Sequence, residues 1–143
     1  MYKKTKFLLL VFVVAVFFST AQKKPNILFI VSDDQGYGDL GSYGGGEGRG
    51  MPTPNLDQLS HDGMTFFSFY AQPSCTAGRA AMQTGRIPNR SGMTTVAFQG
   101  QGGGLPAAEW TLASVLKTGG YQTYFTGKWH LGEELQSVPT SQG

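Results

Sequence analysis

The chain has 143 residues, which is enough for at most one modest domain. Its single cysteine cannot form an internal disulfide, so the thiol is either inert or chemically used. The formal net charge is +2, and the sequence contains no basic patch, so nucleic-acid binding is not expected.

The first 21 residues have the pattern of a secretory signal peptide. Lysines near the N-terminus precede an unbroken apolar run from Phe7 to Phe18, and small residues follow at 19–21. The apolar run is shorter than the roughly 20 residues of a membrane-spanning helix, which favours cleavage over an uncleaved anchor. We therefore expect export to the periplasm or the extracellular space, with no membrane attachment after cleavage. Residues 22–143 then carry a net charge of about −1.

A continuously apolar run at residues 26–31 predicts a first strand, buried on both faces of a parallel sheet. Asp33 and Asp34 follow at its carboxyl end, where open α/β sheets place their functional sites. Two adjacent carboxylates repel each other unless a cation or hydrogen-bond donors intervene, and a hard divalent cation prefers oxygen ligands. The residues alone equally allow an aspartate pair that caps a turn.

The glycine-rich residues 41–50 predict a flexible surface loop, and no Gly-Lys-Ser/Thr follows that would indicate a phosphate-binding loop. Thr53 and Pro54 then predict the N-cap and the first residue of a helix that ends at Gly63. The side chains expected to face the core from this helix are Leu56 and Leu59.

The aromatic residues 64–70 predict a second strand, which leads to Cys75. Small residues and good helix formers follow the cysteine, so a helix is expected to begin there and to stop at Gly85. Arg79 lies four residues after Cys75 and would share its helical face. A helix N-terminus beside a guanidinium suits a tetrahedral anion. The alternative is an inert buried thiol.

The last predicted elements are a loop over residues 87–106, a helix over 109–118 and a third strand over 121–126. The buried stripe expected for the helix consists of Leu112, Val115 and Leu116. The order of strands and helices favours crossover units and a parallel sheet. Beyond the third strand, Lys128 and His130 point to the same side if the backbone stays extended. They could bind an anion and move a proton, or be an exposed lysine and a packed histidine.

Three segments resemble the sulfatase family. Residues 75–79, with the sequence CTAGR, resemble its signature Cys-x-Pro/Ala-x-Arg, and TGR at 84–86 continues it. Residues 120–130, which end in GKWH, resemble the second sulfatase signature, and the aspartate pair resembles the one that follows the first strand in that family. The order of the segments is also that of the family.

The resemblance implies an α/β fold. The chain would form the N-terminal part of an alkaline-phosphatase-like sandwich, in which helices flank a mostly parallel central sheet. Sulfatases are several hundred residues long, so residues 22–143 would be the N-terminal part of a truncated catalytic domain, after the signal peptide at 1–21. An isolated chain of this length is expected to show little or no turnover.

The resemblance also implies the chemistry. In sulfatases a maturation enzyme oxidises the cysteine at the position of Cys75 to formylglycine, and the hydrated aldehyde is the nucleophile. The substrate would be a sulfate ester, either a small aryl sulfate or a sulfated carbohydrate. His130 would hydrogen-bond the hydrate and assist proton movement.

The charged residues follow the same resemblance. Asp33, Asp34 and the modified Cys75 would bind Ca²⁺, with Mg²⁺ as the alternative. Arg79 and Lys128 would offset negative charge on the sulfuryl oxygens. Two other functions are compatible with these residues: a phosphatase or phosphonate monoester hydrolase of the same superfamily, or an inactive fragment that binds a cation and keeps an unmodified cysteine.

Overall fold

The computed structural model describes residues 23–143, so the signal peptide predicted for residues 1–21 lies outside the described residues. The chain divides into two compact units, Met1–Met64 and Thr65–Gly143. Within the described part, no helix combines the length and the apolar character that crossing a membrane requires.

Within its described residues, 23–64, the first unit contains three short 3₁₀ turns and one helix. The turns are Tyr37–Asp39, Gly41–Tyr43 and Gly46–Arg49, and the helix, α1, is Pro54–Asp62. The helix begins after Thr53 with Pro54 as its first residue, as the sequence predicts. The Thr53 side chain makes no capping hydrogen bond to the helix, however. Its hydroxyl accepts a hydrogen bond from the Gly41 amide (2.9 Å) and donates one to the Asp57 carboxylate (3.1 Å).

Residues 41–50, which the sequence predicts to be a loop, contain two 3₁₀ turns, the first of which is hydrogen-bonded to Thr53 and Asp57. The Asp57 carboxylate also accepts a hydrogen bond from the Ser42 amide (2.7 Å), so the side chains of Thr53 and Asp57 satisfy the amides of Gly41 and Ser42. Gly46 is buried with a φ of 65°, and a Cβ at this position would lie 2.8 Å from the Gly41 Cα. The glycines therefore allow close backbone packing at this point.

The second unit contains three helices and a closing 3₁₀ turn at Pro139–Ser141. The helices are α2 (Cys75–Thr84), α3 (Pro88–Ser91) and α4 (Leu112–Thr118). Helix α2 packs against α3 and α4, and a small core of Ala80, Met93, Leu105 and Leu131 lies beside it, with Trp129 against that core.

Helix α2 has the predicted bounds, and it ends at Gly85, whose left-handed backbone lets its amide donate to the Ala81 carbonyl. Helix α4 begins later than predicted. The Thr111 hydroxyl accepts from the Ser114 amide (3.0 Å), and the Ser114 hydroxyl accepts from the Thr111 amide (2.8 Å), which fixes the start at Leu112. The short helix α3 lies inside the segment predicted to be a loop.

The described residues contain no β-strand, so the parallel sheet of the expected α/β fold is not confirmed. The segments predicted to form it are residues 26–31, 64–70 and 121–126. A strand exists through hydrogen bonds to a neighbouring strand, and none of these segments has such a neighbour in the described part. Their apolar side chains are exposed instead: Leu28 is 85% exposed, Phe69 84% and Tyr124 90%.

The apolar stripes of α1 and α4 are also more exposed than predicted. Leu56 and Leu59 are 48% and 66% exposed, so the prediction that they face the core is wrong. In α4, Leu112 and Val115 are exposed and Leu116 is half-buried. Because a helix stripe becomes buried only against a facing layer, these exposures have the same cause as the missing sheet.

Candidate active site

Helix α2 places Cys75 at its first residue. Ser74 precedes it with an extended backbone (φ −142°, ψ 158°), and its carbonyl accepts the first helical hydrogen bond, from the Gly78 amide (2.8 Å). The first amides of a helix have no acceptor within the helix, so they carry a partial positive charge. The Cys75 thiol is half-buried and forms no disulfide. This arrangement places the thiol at a helix end that favours an anion.

Arg79 connects α2 with the segment that carries Lys128. It lies one turn after Cys75, and its Nη1 donates a hydrogen bond of 2.6 Å to the Lys128 carbonyl. The guanidinium therefore holds the backbone of the lysine, while the Lys128 side chain stays exposed. Sequence reasoning predicts both residues for the site, but it does not predict this contact.

Thr76 makes a second connection between α2 and this segment, at His130, two residues after Lys128. Its side chain is fully buried, and its hydroxyl donates a hydrogen bond of 3.0 Å to the His130 carbonyl. His130 has a φ of 53°, so the extended backbone under which Lys128 and His130 would point to the same side is not present at His130. A left-handed backbone is uncommon in a non-glycine residue and often marks a functional position.

Lys128 and His130 line the same open cavity of about 400 Å³. Its other lining residues are Ala97, Trp129, Gly132 and Glu133. Two contacts hold Trp129 in place. Its indole nitrogen donates a hydrogen bond to the Ser137 carbonyl (2.7 Å), and its ring packs edge to face against Phe125. The lysine and the histidine therefore do converge on one space, although their backbone is not extended.

Asp33 and Asp34 lie in the first unit. Both are exposed, and Asp34 has a φ of 52°, a conformation that aspartate tolerates better than most residues. Within residues 23–143 no three or more side chains of histidine, cysteine, aspartate or glutamate gather into a metal site. Asp33 and Asp34 therefore belong to no group of three such side chains among the described residues.

One ion pair at the edge of α2 was not among the predicted site residues. The Arg86 guanidinium donates to both carboxylate oxygens of Glu109, at 2.7 and 2.9 Å, and the Glu109 side chain is only 12% exposed. Arg86 belongs to the TGR motif, and Glu109 opens the predicted helix at 109–118. Motif reading identifies the arginine, but the partner lies 23 residues away and has no local signal.

Comparison with known proteins gives one family. Residues 25–143 match the family model described as Sulfatase. The chain is 52% identical over 114 residues to arylsulfatase A of Bos taurus, covering 78% of this chain and 22% of that protein. It is 41% identical over 134 residues to N-acetylgalactosamine-6-sulfatase of Homo sapiens, covering 87% and 25% respectively.

Two solved structures are also similar to this chain. The PsFucS1 sulfatase from Pseudoalteromonas sp. superposes with a TM-score of 0.79 and 39% sequence identity, covering 93% of this chain and 27% of that chain. A second solved structure, that of Ps i-CgsB, superposes with a TM-score of 0.73 and 36% identity, covering 85% of this chain and 27% of that chain. The chain spans about a quarter of the length of the curated relatives it matches.

Proposed function

Because this chain belongs to the sulfatase family, we propose that it supplies the nucleophile and the sulfate-binding residues of a site that hydrolyses sulfate esters. The observation that carries the proposal is the double connection between α2 and the segment 127–132. Arg79 holds the Lys128 carbonyl, and Thr76 holds the His130 carbonyl. These two hydrogen bonds fix the helix that begins with Cys75 against the segment that carries the lysine and the histidine.

The nucleophile would derive from Cys75. A formylglycine-generating maturation enzyme would oxidise it, and the hydrated aldehyde would supply the hydroxyl that attacks the sulfur. The site fits this modification because the thiol is half-buried and forms no disulfide. The positive end of α2 would stabilise the anionic sulfuryl group that the nucleophile meets.

The remaining charges of the second unit suit a sulfate ester. The Lys128 ammonium is exposed and lines the cavity, so it can bind the sulfuryl oxygens directly. The Arg79 guanidinium adds positive charge one turn from the nucleophile. His130 lines the same cavity and can deliver a proton to the leaving alcohol.

Asp33 and Asp34 would hold a divalent cation, Ca²⁺ or Mg²⁺. The donor chemistry fits, because adjacent carboxylates supply the hard oxygen ligands that these ions prefer. The pair alone provides fewer ligands than the six or more that Ca²⁺ takes, so the coordination would be completed by other groups. When bound, a divalent cation would supply Lewis-acid chemistry, the polarisation of the oxygen atoms that it contacts.

We further propose that the exposed apolar segments 26–31, 64–70 and 121–126 are strands of an alkaline-phosphatase-like sheet in the complete catalytic domain. Their exposure supports this proposal, because surfaces of this kind are normally buried by a partner. Residues 1–21 would direct export to the periplasm or beyond. The names of the relatives support an aryl or a carbohydrate sulfate as the substrate.

A chimera tests the proposed activity. Residues 25–132 of this chain would replace the aligned residues of the Pseudoalteromonas sulfatase, and the matured chimera would be assayed side by side with an aryl sulfate and an aryl phosphate. We expect sulfate hydrolysis, with a loss of about 10²–10⁴-fold for His130→Ala. His61→Ala is the matched control, since His61 is an exposed residue of α1.

Two results would contradict the proposal. Preferential cleavage of the phosphate would assign the site to a phosphatase or phosphonate hydrolase of the same superfamily. A chimera that folds, binds Ca²⁺ and cleaves neither ester would support an inactive cation-binding segment.

A further inference from the structure

We infer that Thr76 is a positioning residue for His130, through a hydroxyl that holds two walls of the 400 Å³ cavity together. The inference rests on the proposed function, because it concerns the histidine to which that function assigns the proton transfer. Thr76 itself lines no part of this cavity and acts only through the backbone groups that it binds.

The hydroxyl of Thr76 bonds to two separate segments. It donates to the His130 carbonyl at 3.0 Å and accepts from the Ala97 amide at 3.3 Å. Both Ala97 and His130 line the cavity, and the Thr76 side chain is fully buried between them. One hydroxyl group therefore connects two walls of the cavity, at Ala97 and at His130, which are 33 residues apart in the sequence.

The position of Thr76 in its helix explains why the hydroxyl is available. A threonine inside a helix commonly donates to the carbonyl four residues earlier, as Thr84 does to Ala80 at 2.7 Å. Thr76 is the second residue of α2, so no helical carbonyl precedes it at that distance. Its donor and its acceptor are both free for contacts outside the helix, and a hydroxyl is among the few small groups that provide both.

His130 depends on such a backbone contact. Its left-handed conformation (φ 53°) is unfavourable for a non-glycine residue and persists only where the surroundings hold it. Within residues 23–143, the buried Nδ1 of its imidazole has no hydrogen-bond partner. No hydrogen bond at Nδ1 therefore holds the ring in this part of the chain, and the Thr76 hydroxyl holds the backbone from which the ring projects.

The experiment compares Thr76→Val with Thr76→Ser in the full chain. Valine keeps the branched shape but has no hydroxyl, whereas serine keeps the hydroxyl and loses one methyl group. The readout is the NMR spectrum of the two imidazoles, His61 and His130, in the chain labelled at histidine. His61 lies in the other compact unit and serves as the internal control.

We expect Thr76→Val to shift and broaden the His130 ring signals and to speed amide exchange at Ala97 by about tenfold, the effect of one lost hydrogen bond. Thr76→Ser should restore both readouts to within the wild-type range, and the His61 signals should stay unchanged in every variant. Unchanged His130 signals in Thr76→Val, with or without a loss of thermal stability, would overturn the inference. Equal changes in both variants would overturn it as well, because the methyl group and not the hydroxyl would then be responsible.

A measurement on the unmodified chain covers the case in which Thr76→Val does not fold. The Ala97 amide should exchange at least about tenfold more slowly than in an unprotected peptide, because its acceptor is a buried hydroxyl. Exchange at the unprotected rate would overturn the inference without any variant. None of these readouts depends on sulfate hydrolysis, so the failure of the proposed function and the failure of this inference can be told apart.

Discussion

Helix α2 and the apolar segment at residues 26–31 have opposite surroundings. Ala77 and Ala80 of α2 are 4% and 0% exposed, whereas the larger Leu28 and Ile30 are 85% and 75% exposed. This difference in exposure comes from the packing partners of the two segments and not from how apolar their side chains are. Helix α2 meets α3, α4 and the core of its own unit, while the segment has no neighbouring strand in the described part. A segment is therefore buried only when its packing partner is within reach.

The largest expected effect comes from the core beside α2. Leu131→Ala should lower the free energy of unfolding by about 2–5 kcal/mol, because this side chain is fully buried. Leu28→Ala is the matched control, and it should change stability by no more than about 0.5 kcal/mol. Denaturant unfolding, followed by the fluorescence of Trp129 and Trp110, measures both. A cost for Leu28→Ala that equals the cost for Leu131→Ala would show that the apolar segment is buried in solution.

The next comparison concerns two glycines of the turns before α1. Gly46→Ala should cost about 1–2 kcal/mol, because the alanine would have to adopt a left-handed backbone. The crowding of its Cβ against Gly41 should add to this cost. Gly48→Ala meets nothing within 4 Å, has no positive φ and should be nearly neutral. The hydrogen-exchange rate of the Gly41 amide measures both effects, and we expect faster exchange in Gly46→Ala than in Gly48→Ala. Equal rates in the two variants would favour the flexible loop that the sequence predicts.

Two ion pairs give a smaller effect. Arg86 and Glu109 should couple by about 1 kcal/mol in a double-mutant cycle, because the carboxylate is largely buried and hydrogen-bonded. Arg49 and Asp39 form the control pair, 3.8 Å apart with the arginine 62% exposed, and should couple by less than about 0.5 kcal/mol. Coupling that vanishes equally for both pairs in high salt would indicate that Glu109 is solvated.

The smallest effect is the pH response of α1. The Gln58 amide, and after it His61, hold the pKa of Asp62 below its usual value of 3.8. The ionised carboxylate therefore stabilises the helix above the usual pKa, and this contribution is lost as the pH falls through the lower, folded value. Gln58→Ala should raise the NMR titration midpoint of Asp62 more than His61→Ala does. The reverse order would show that the histidine is the main cause.

The sequence predicts those parts of the fold that local chemistry decides. The start of α2 after Ser74, its end at Gly85 and the start of α1 at Pro54 follow from helix formers, a left-handed glycine and proline at the first helical position. The strands cannot be predicted in this way. Residues 26–31 have the composition of a buried strand, but forming one requires a neighbouring strand that composition does not provide.

Only part of the candidate site can likewise be predicted from the sequence. The motifs identify Cys75, Arg79, Lys128 and His130, and the structure places all four in one unit. The contacts of Thr76 with Ala97 and His130 join residues that are distant in sequence. No periodicity or spacing in the chain indicates such contacts, so they require the structure.

The measurement that tests the central claim most directly is the mass of the tryptic peptide 50–79, which contains Cys75. The chain would be produced beside a formylglycine-generating enzyme that is shown to convert a reference substrate. Ala77→Pro is the matched variant, because proline is the commoner residue of the family signature at this position and is tolerated in the first turn of a helix. We predict that the wild-type peptide carries an aldehyde in place of the thiol. An intact thiol in both proteins would contradict the assignment of Cys75 as the precursor of the nucleophile. An intact thiol in the wild type alone would contradict it for this chain and identify Ala77 as the cause.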